Sequence, residues 1–493
     1  MAKTKTWRRW LIHAVVIASL LVAVEIILRL SSAPPSFTRS DDSFADRFFV
    51  PESRDGAEMM VNNFRSEMES EGVPAGEPPP EGRNEALWQR VRDVMEFNRE
   101  KPPDETRIFV LGTSPIWGFL GNREDDHTLL ALYLRDKLRD RYPQVNAKVV
   151  NAAHVGMGGP EVLRCLREMV EYQPDLVVVY FGGVMPTMAP PVEDRGDLEK
   201  SPETYFLLRL LGHSKLFRAI RKALSPRSAE AQQPFPPPPV GRPPELAPTM
   251  GDIEATDPEF DSRGLPLFGP HSKPLEQPED YDERLVNLVA NLKSEIEGSY
   301  RALFEQMAGD IAQRGAAGVF FTVATNKADI RPFWSLHQKP ISAADRKTFA
   351  RLLVDARRRL DNGDVAGARR AYEQAVALGP TFAAARFELG RVYRQLGEHD
   401  KARAEFLAAK EWDASNERAL DRPNDLLRHV AAAHGLATLN AEEIILAMPE
   451  SEGYLGRGVF IDHQHMTPAV VRTMAEALSD RMPQYLPQVN WGN

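Results

Sequence analysis

The chain has 493 residues, 43% of them hydrophobic, and a formal net charge of −9. That length suits two or three domains with a sizeable core, and the mild acidity, with no basic stripe interleaved with aromatics, argues against a nucleic-acid partner. A single cysteine, Cys165, excludes an internal disulfide framework, and no Cys/His cluster has metal-ligand spacing.

Lys3, Lys5, Arg8 and Arg9 precede an apolar run, Leu11–Leu30. Its 20 positions match a bilayer-spanning helix and exceed the ~7–15 apolar residues of a cleavable signal peptide. Pro34 after Ser31-Ser32-Ala33 disfavours cleavage. Four cations before the run against Arg29 and Arg39 around its end favour an amino terminus on the inner side. The pattern predicts a signal anchor over 1–31, membrane contact through 11–30, and a single-pass bacterial inner-membrane protein with its bulk in the periplasm. The competing reading is a buried soluble helix.

Residues 32–103 carry Pro34-Pro35 and Pro78–Pro80 among glutamates, which predicts a stalk with little core of its own. Within it, Ala86–Arg99 has the spacing of a packing helix. From 104 onward strands and helices alternate. Strands are predicted at Arg107–Gly112, Ala147–Asn151, Asp175–Phe181, Gly318–Ala324 and Leu436–Leu439. Helices are predicted at His127–Arg141, Pro160–Tyr172, Tyr281–Gln313, Leu426–His434 and Pro468–Leu478. This alternation predicts a three-layer α/β/α domain with a parallel sheet of about five strands, its first part 104–345 and its last part 418–493.

Two inserts interrupt the alternation. Residues 224–278 are proline-rich, with Pro236–Pro239 in a row, and read as an extended loop. The amphipathic stretch before them, Tyr205–Ala223, reads as a helix packed on the main domain, or as a lid or a membrane-surface contact. In the second insert, 346–417, Gly363 and Gly397 are 34 apart, as are Ala368 and Ala402, Tyr372 and Phe406, and Ala375 and Ala409. Small residues at these places let two helices approach closely. The period resembles tetratricopeptide repeats, two units over about 346–415. A stand-alone array needs about three units, so the pair is expected to lean on the main domain. The resemblance implies either a protein partner bound through 346–415 or a structural brace.

The chemistry is carried by two distant stretches. The strand Arg107–Gly112 ends at a glycine, with Ser114 two residues past it, where open α/β sheets place their chemistry. Near the other end stands Asp462-His463-Gln464-His465. A serine hydroxyl is a weak nucleophile until a base takes its proton. His465 within ~3 Å of Ser114 would be that base, and a carboxylate three residues earlier, Asp462, would fix its tautomer. His463 is the rival base. His154 faces the site or solvent, Asn151 reads as a turn stabiliser, and Trp117 and Phe119 read as packing or as a substrate platform.

With GTS (Gly112–Ser114), NAAHVG (Asn151–Gly156), FGG (Phe181–Gly183) and Asp462-x-x-His465 in this order, the chain resembles the SGNH/GDSL hydrolase superfamily, bacterial membrane-anchored members in particular. The resemblance spans roughly 104–225, 280–345 and 418–485. It implies a flavodoxin-like sheet and a Ser114–His465–Asp462 triad. It also implies an oxyanion site formed by the Ser114 and Gly156 amides, and neither a metal nor an organic cofactor. An acyl-ester small molecule or glycan is the implied substrate, with acylated carbohydrate or lipid-linked compounds as its classes. Two departures stand out. Val184 replaces the family's asparagine after FGG, whose side-chain amide completes the oxyanion site, and Thr113 replaces its aspartate before the nucleophile. Two functions follow as expectations: a serine ester hydrolase or acyl transferase, or a weak or inactive hydrolase-like scaffold that recruits an envelope partner through its repeats.

Overall fold

The computed structural model describes residues 47–54, 57–62, 85–117, 127–154, 157–182, 283–332, 335–414 and 421–492. All belong to one contact-dense unit, 46–188 with 238–493; the other unit, 1–45 with 189–237, lies outside the described residues. So do the expected span Leu11–Leu30, the stretch Tyr205–Ala223, the loop 224–278, Phe119, Gly156 and Val184.

In chain order the elements begin with β1 (Phe49–Arg54), β2 (Ala57–Asn62), α1 (Glu85–Met95) and β3 (Glu96–Asn98). Then come β4 (Glu105–Gly112), the single turn α2 (Ser114–Trp117), α3 (Leu130–Arg141), β5 (Asn146–Asn151), α4 (Gly159–Met169) and β6 (Leu176–Tyr180). The long helix α5 (Glu283–Gln313) leads into β7 (Ala317–Phe321). Four helices follow, α6 (Ala343–Asp361), α7 (Val365–Leu378), α8 (Ala383–Gln395) and α9 (His399–Glu411). The chain closes with α10 (Asp421–Ala433), β8 (Ala437–Leu439), α11 (Ala441–Leu446), α12 (Pro468–Ser479) and α13 (Met482–Tyr485).

β4 to β8 form one parallel sheet in the order β5-β4-β6-β7-β8. Counted within the sheet, that is 2-1-3-4-5, the flavodoxin-like order, whose switch point lies between the first and third strands. Parallel strands are covered on both faces, so their sequences are continuous apolar runs. Every residue of β6, LVVVY, is buried, and each such Val or Leu contributes about 1.5–3 kcal/mol. α3 packs against α12, while α4 packs against α5 and α5 against α10. The expected α/β architecture with a parallel five-stranded sheet is present.

Two sequence expectations change. The stretch expected to be a stalk has a core: β1, β2 and β3 form an antiparallel sheet. Phe49 and Phe97 meet Phe109 of β4 edge-on at 5.8 and 5.3 Å. The carboxylate of Glu168 accepts the amides of Phe48 and Phe49. Averaged composition hid this, because the proline pair Pro34-Pro35 and the run Pro78–Pro80 lie outside the strands that pair, while Pro51 sits within β1. The predicted helix Ala86–Arg99 stops at Met95 for the same reason, since Phe97 is drawn into the β2–β3 ladder.

The membrane expectation is also corrected. Among the described residues no helix is long and apolar enough to cross a membrane. The longest, α5, has 31 residues but carries Glu283, Arg284, Lys293, Glu295, Glu297, Arg301, Glu305 and Asp310, each costly in hydrocarbon. The single-pass inner-membrane location with a periplasmic bulk is therefore not supported.

The four helices α6–α9 are two helical hairpins. Gly363 and Gly397 turn the chain inside each hairpin at φ +76° and +74°, a region open to glycine. Ala368, Tyr372, Ala375, Ala402, Phe406 and Ala409 are all buried at the helix contacts. Tyr372, Ala375, Ala402, Phe406 and Ala409 belong to a cluster that includes Ala328 and Tyr454 of the surrounding α/β domain, so the pair leans on that domain.

Candidate active site

β4 ends where a side chain has no room. A Cβ on Gly112 would lie 2.6 Å from the Tyr180 carbonyl oxygen of β6 and 2.7 Å from Ile116 Cδ1. The Thr113 carbonyl then accepts the amides of Ile116 and Trp117, each at 3.1 Å, closing the turn that begins at Ser114. Ser114 is half-buried and stands directly past the carboxyl end of β4, at the switch point of the sheet.

The Asp-x-x-His stretch forms a closed loop at the entry to α12. Phe460 and Met466 make an antiparallel bridge. The Ile461 amide donates to the His465 carbonyl at 2.7 Å, and the Thr467 amide donates to the Val459 carbonyl at 3.1 Å. At the tip, Asp462 Oδ1 accepts the amides of Gln464 (2.8 Å) and His465 (2.7 Å), and Oδ2 lies 2.6 Å from His465 Nδ1. Burial pushes the Asp462 carboxyl up. The His465 hydrogen bond and the charges of His465 and His463 outweigh it and hold the group well below the usual carboxylate range. His463 Nδ1 is 3.8 Å from Asp462 Oδ1, so the carboxylate orients His465 rather than the rival base.

A buried tyrosine links the two stretches. Tyr180 is paired with Gly112 in the sheet register. Its hydroxyl meets Met466 Sδ, next to His465, at 3.9 Å, and accepts the Ala324 amide at 3.4 Å. Burial pushes its phenol well above the ordinary value. Both stretches therefore lie at the carboxyl edge of the sheet, and Asp462 and His465 are in direct contact. Among the described residues no hydrogen bond joins Ser114 to His465.

The remaining candidates sort by packing. His154 is buried, its ring edge-on to Trp117 at 5.0 Å, so Trp117 packs and His154 does not face open solvent. Asn151 stabilises its turn, its Oδ1 accepting the Ala153 amide at 3.2 Å. Asn326 and Asn424 lie in two stretches, Asn326–Phe333 and Arg418–Asn424, that the family resemblance also takes in, although the sequence assigns neither asparagine a partner. Asn424 brackets the backbone of Val323, accepting from its amide at 2.8 Å and donating to its carbonyl at 2.9 Å. The Asn326 amide donates to the His463 carbonyl at 3.0 Å. Asn424 lies on α10 and Asn326 in the segment after β7, and no spacing within either stretch identifies the backbone group it holds.

Comparison with known proteins bears mainly on the insert. Against the curated proteins there is no match. Among solved structures the chain is similar to an α/β hydrolase enzyme from the metagenome of Lake Arreo, Spain. That likeness has 10% identity and a TM-score of 0.29 over 76% of this chain and 93% of that one, too slight to bear on function. Residues 353–419 match the tetratricopeptide repeat family, which covers the second half of α6 and all of α7 to α9 and leaves the sheet edge to its own geometry.

Proposed function

We propose that the protein is a serine ester hydrolase or acyl transferase of the SGNH/GDSL type. The reading rests above all on the 2.6 Å contact between Asp462 Oδ2 and His465 Nδ1, made at the sheet edge that also carries Ser114. Held by Asp462, His465 presents Nε2 as the atom that takes the Ser114 proton as Oγ attacks an ester carbonyl. The tetrahedral oxyanion is held by the backbone amides of Ser114 and Gly156. Its collapse expels the alcohol, which takes the proton from His465 and leaves an acyl-Ser114. Water or a sugar hydroxyl then repeats the attack and frees the serine. Formation of the Ser114–His465 hydrogen bond belongs to the substrate complex, since such contacts are often loose without substrate.

Val184, in place of an amide-bearing asparagine, predicts a slow enzyme. Loss of one oxyanion donor costs about 2.7–4 kcal/mol, or about 10²–10³ in turnover. Acylated carbohydrate or lipid-linked esters are the substrate classes carried over from the resemblance. The test is hydrolysis of short-chain aryl esters, with labelling by a serine-reactive fluorophosphonate. Wild type is expected to react and Ser114→Ala to do neither; equal rates in the two proteins would remove the proposal.

A second reading is favoured by Val184 together with the repeat match: a hydrolase-like scaffold that binds a partner protein through the helical hairpins. It expects Ser114→Ala to be silent in cells. It also expects a captured partner to be lost when exposed Val354 or Leu407 on the hairpins is replaced by Asp.

A further inference from the structure

We infer that Asp329 and Arg394 are positioning residues for the Asp462–His465 pair, so that the repeat insert holds the base of the site in place. The inference rests on the hydrolase reading for its consequence in catalysis, though not for its geometry. Asp329 lies in the segment that leaves β7, and Arg394 lies on α8 of the second hairpin. Arg394 Nη1 donates to Asp329 Oδ1 at 2.9 Å, with both side chains about one-fifth exposed. The guanidinium lies 5.6 Å from the centroid of Phe406 in the repeats and 5.5 Å from that of Tyr454 in the loop before the site. The Tyr454 hydroxyl is in turn 2.7 Å from His399 Nδ1 of α9.

The other face of Asp329 holds the loop that carries the site. Its Oδ2 accepts the Arg457 amide at 2.9 Å. A Cβ on Gly456 would stand 2.3 Å from that same oxygen, so the loop backbone sits directly on the carboxylate. Lys327 and Ala328 both donate to the Leu455 carbonyl, at 2.8 and 3.1 Å. Asn326, whose Oδ1 accepts the Asp329 amide at 3.0 Å, donates its own amide to the His463 carbonyl at 3.0 Å. From Gly456 the chain runs straight into the bridged loop, its carbonyl accepting the Phe460 amide at 3.0 Å.

Asp329 thus ties a repeat helix to the Asp462–His465 turn by two routes, its carboxylate to the loop that enters the turn at Gly456-Arg457 and its backbone amide, through Asn326, to the His463 carbonyl within the turn. A surface ion pair would do no more than join two side chains, and would be worth little. Here each oxygen of Asp329 has a separate task, and the arginine that meets it is fixed between two rings. Movement of α8 is passed to the backbone that enters the turn and to the turn itself at His463, and the insert acts as a buttress of the site.

The experiment uses the full chain and two readouts. The first is the low-field proton shared by His465 Nδ1 and Asp462, followed by NMR in the Ser114→Ala background, which needs no activity. The second is the kcat and KM split on an aryl ester with Ser114 present. Arg394→Met is expected to broaden or shift the proton. It should lower kcat about ten- to hundred-fold with KM nearly unchanged, as for a small misplacement of a catalytic group. Arg394→Lys is expected to restore part of both. Arg358→Ala, an exposed change on α6, is expected to alter neither. Should Arg394→Met not fold, Asp329→Asn keeps the shape but sets an amide donor against the Arg457 N–H or Arg394, and is expected to move the same proton. An unmoved proton in these variants overturns the inference. A proton that moves in these variants, while the wild type hydrolyses nothing and takes no fluorophosphonate, sinks the hydrolase reading alone.

Discussion

Asp462 Oδ2 lies 2.6 Å from His465 Nδ1 while Oδ1 of the same carboxylate accepts two backbone amides of the turn. The residue that orients the imidazole also fixes the backbone beneath it. Charge-assisted bonds of this kind are short and strong, and all three reach residues only two or three positions away. The pair is therefore built by three-residue spacing in a closed turn, with α12 following at once.

Asp462→Asn tests that arrangement. The amide oxygen can still accept the backbone N–H groups, but an amide nitrogen facing Nδ1 donates, and it places the imidazole proton on Nε2. His465 then cannot take the Ser114 proton. Turnover of an aryl ester is expected to fall about 10⁴-fold with the fold intact, measured by steady-state kinetics beside circular dichroism.

The depressed carboxyl of Asp462 sets a pH dependence. Its stabilising contribution is fully present above the unfolded value of about 3.9, and is lost only as pH falls through the lower folded value. The Asp462 carboxyl carbon is expected to show no titration step by NMR from pH 8 down to about pH 4. In His465→Gln, which removes the partner, the step is expected to move upward into the ordinary range.

Gly112 is confined by the Tyr180 backbone on one side and Ile116 on the other. Gly112→Ala is expected to lower stability by about 1–3 kcal/mol through overpacking. It should also displace Ser114, so that fluorophosphonate labelling slows in protein that remains folded. Urea unfolding and labelling rate measure the two effects separately.

Two glycines of the repeats separate strain from space. Gly397 has φ +74° and open surroundings, so Gly397→Ala costs only the left-handed conformation, about 1 kcal/mol. A Cβ on Gly390 would stand 2.8 Å from the Phe406 ring, so Gly390→Ala forces α8 and α9 apart. Its cost is expected to be larger, about 1–3 kcal/mol, and thermal unfolding of the two variants should rank them in that order.

Buried Glu388 of α8 supplies a further test. Burial pushes its carboxyl up, but the charges of Arg331, Arg391 and Arg357 outweigh that and hold it below the usual range. Its contribution is present above about pH 4.3 and falls away as pH drops through the folded value. Arg331→Met removes one of the three cations, and is expected to destabilise by about 1–3 kcal/mol. That is less than the loss of a sole partner, because Arg391 and Arg357 remain. Chemical unfolding at neutral pH measures it.

Several features were legible in the sequence because they are local. The inner strands β4, β6 and β7 announce themselves by apolar runs, since a strand covered on both faces has no polar side to show. The repeat unit is visible because one helical hairpin is written twice at a fixed period, with small residues where the helices touch. Asp462 and His465 are three apart, and a turn brings such neighbours together unaided. Tertiary structure alone decided the order of the strands, the pairing of Phe49 and Phe97 with Phe109, and the seating of Tyr454 and Arg394 about Asp329. Those contacts join residues tens to hundreds of positions apart. Their partners are selected by which surfaces remain to be buried once the local elements exist, and no spacing within a single stretch encodes that choice.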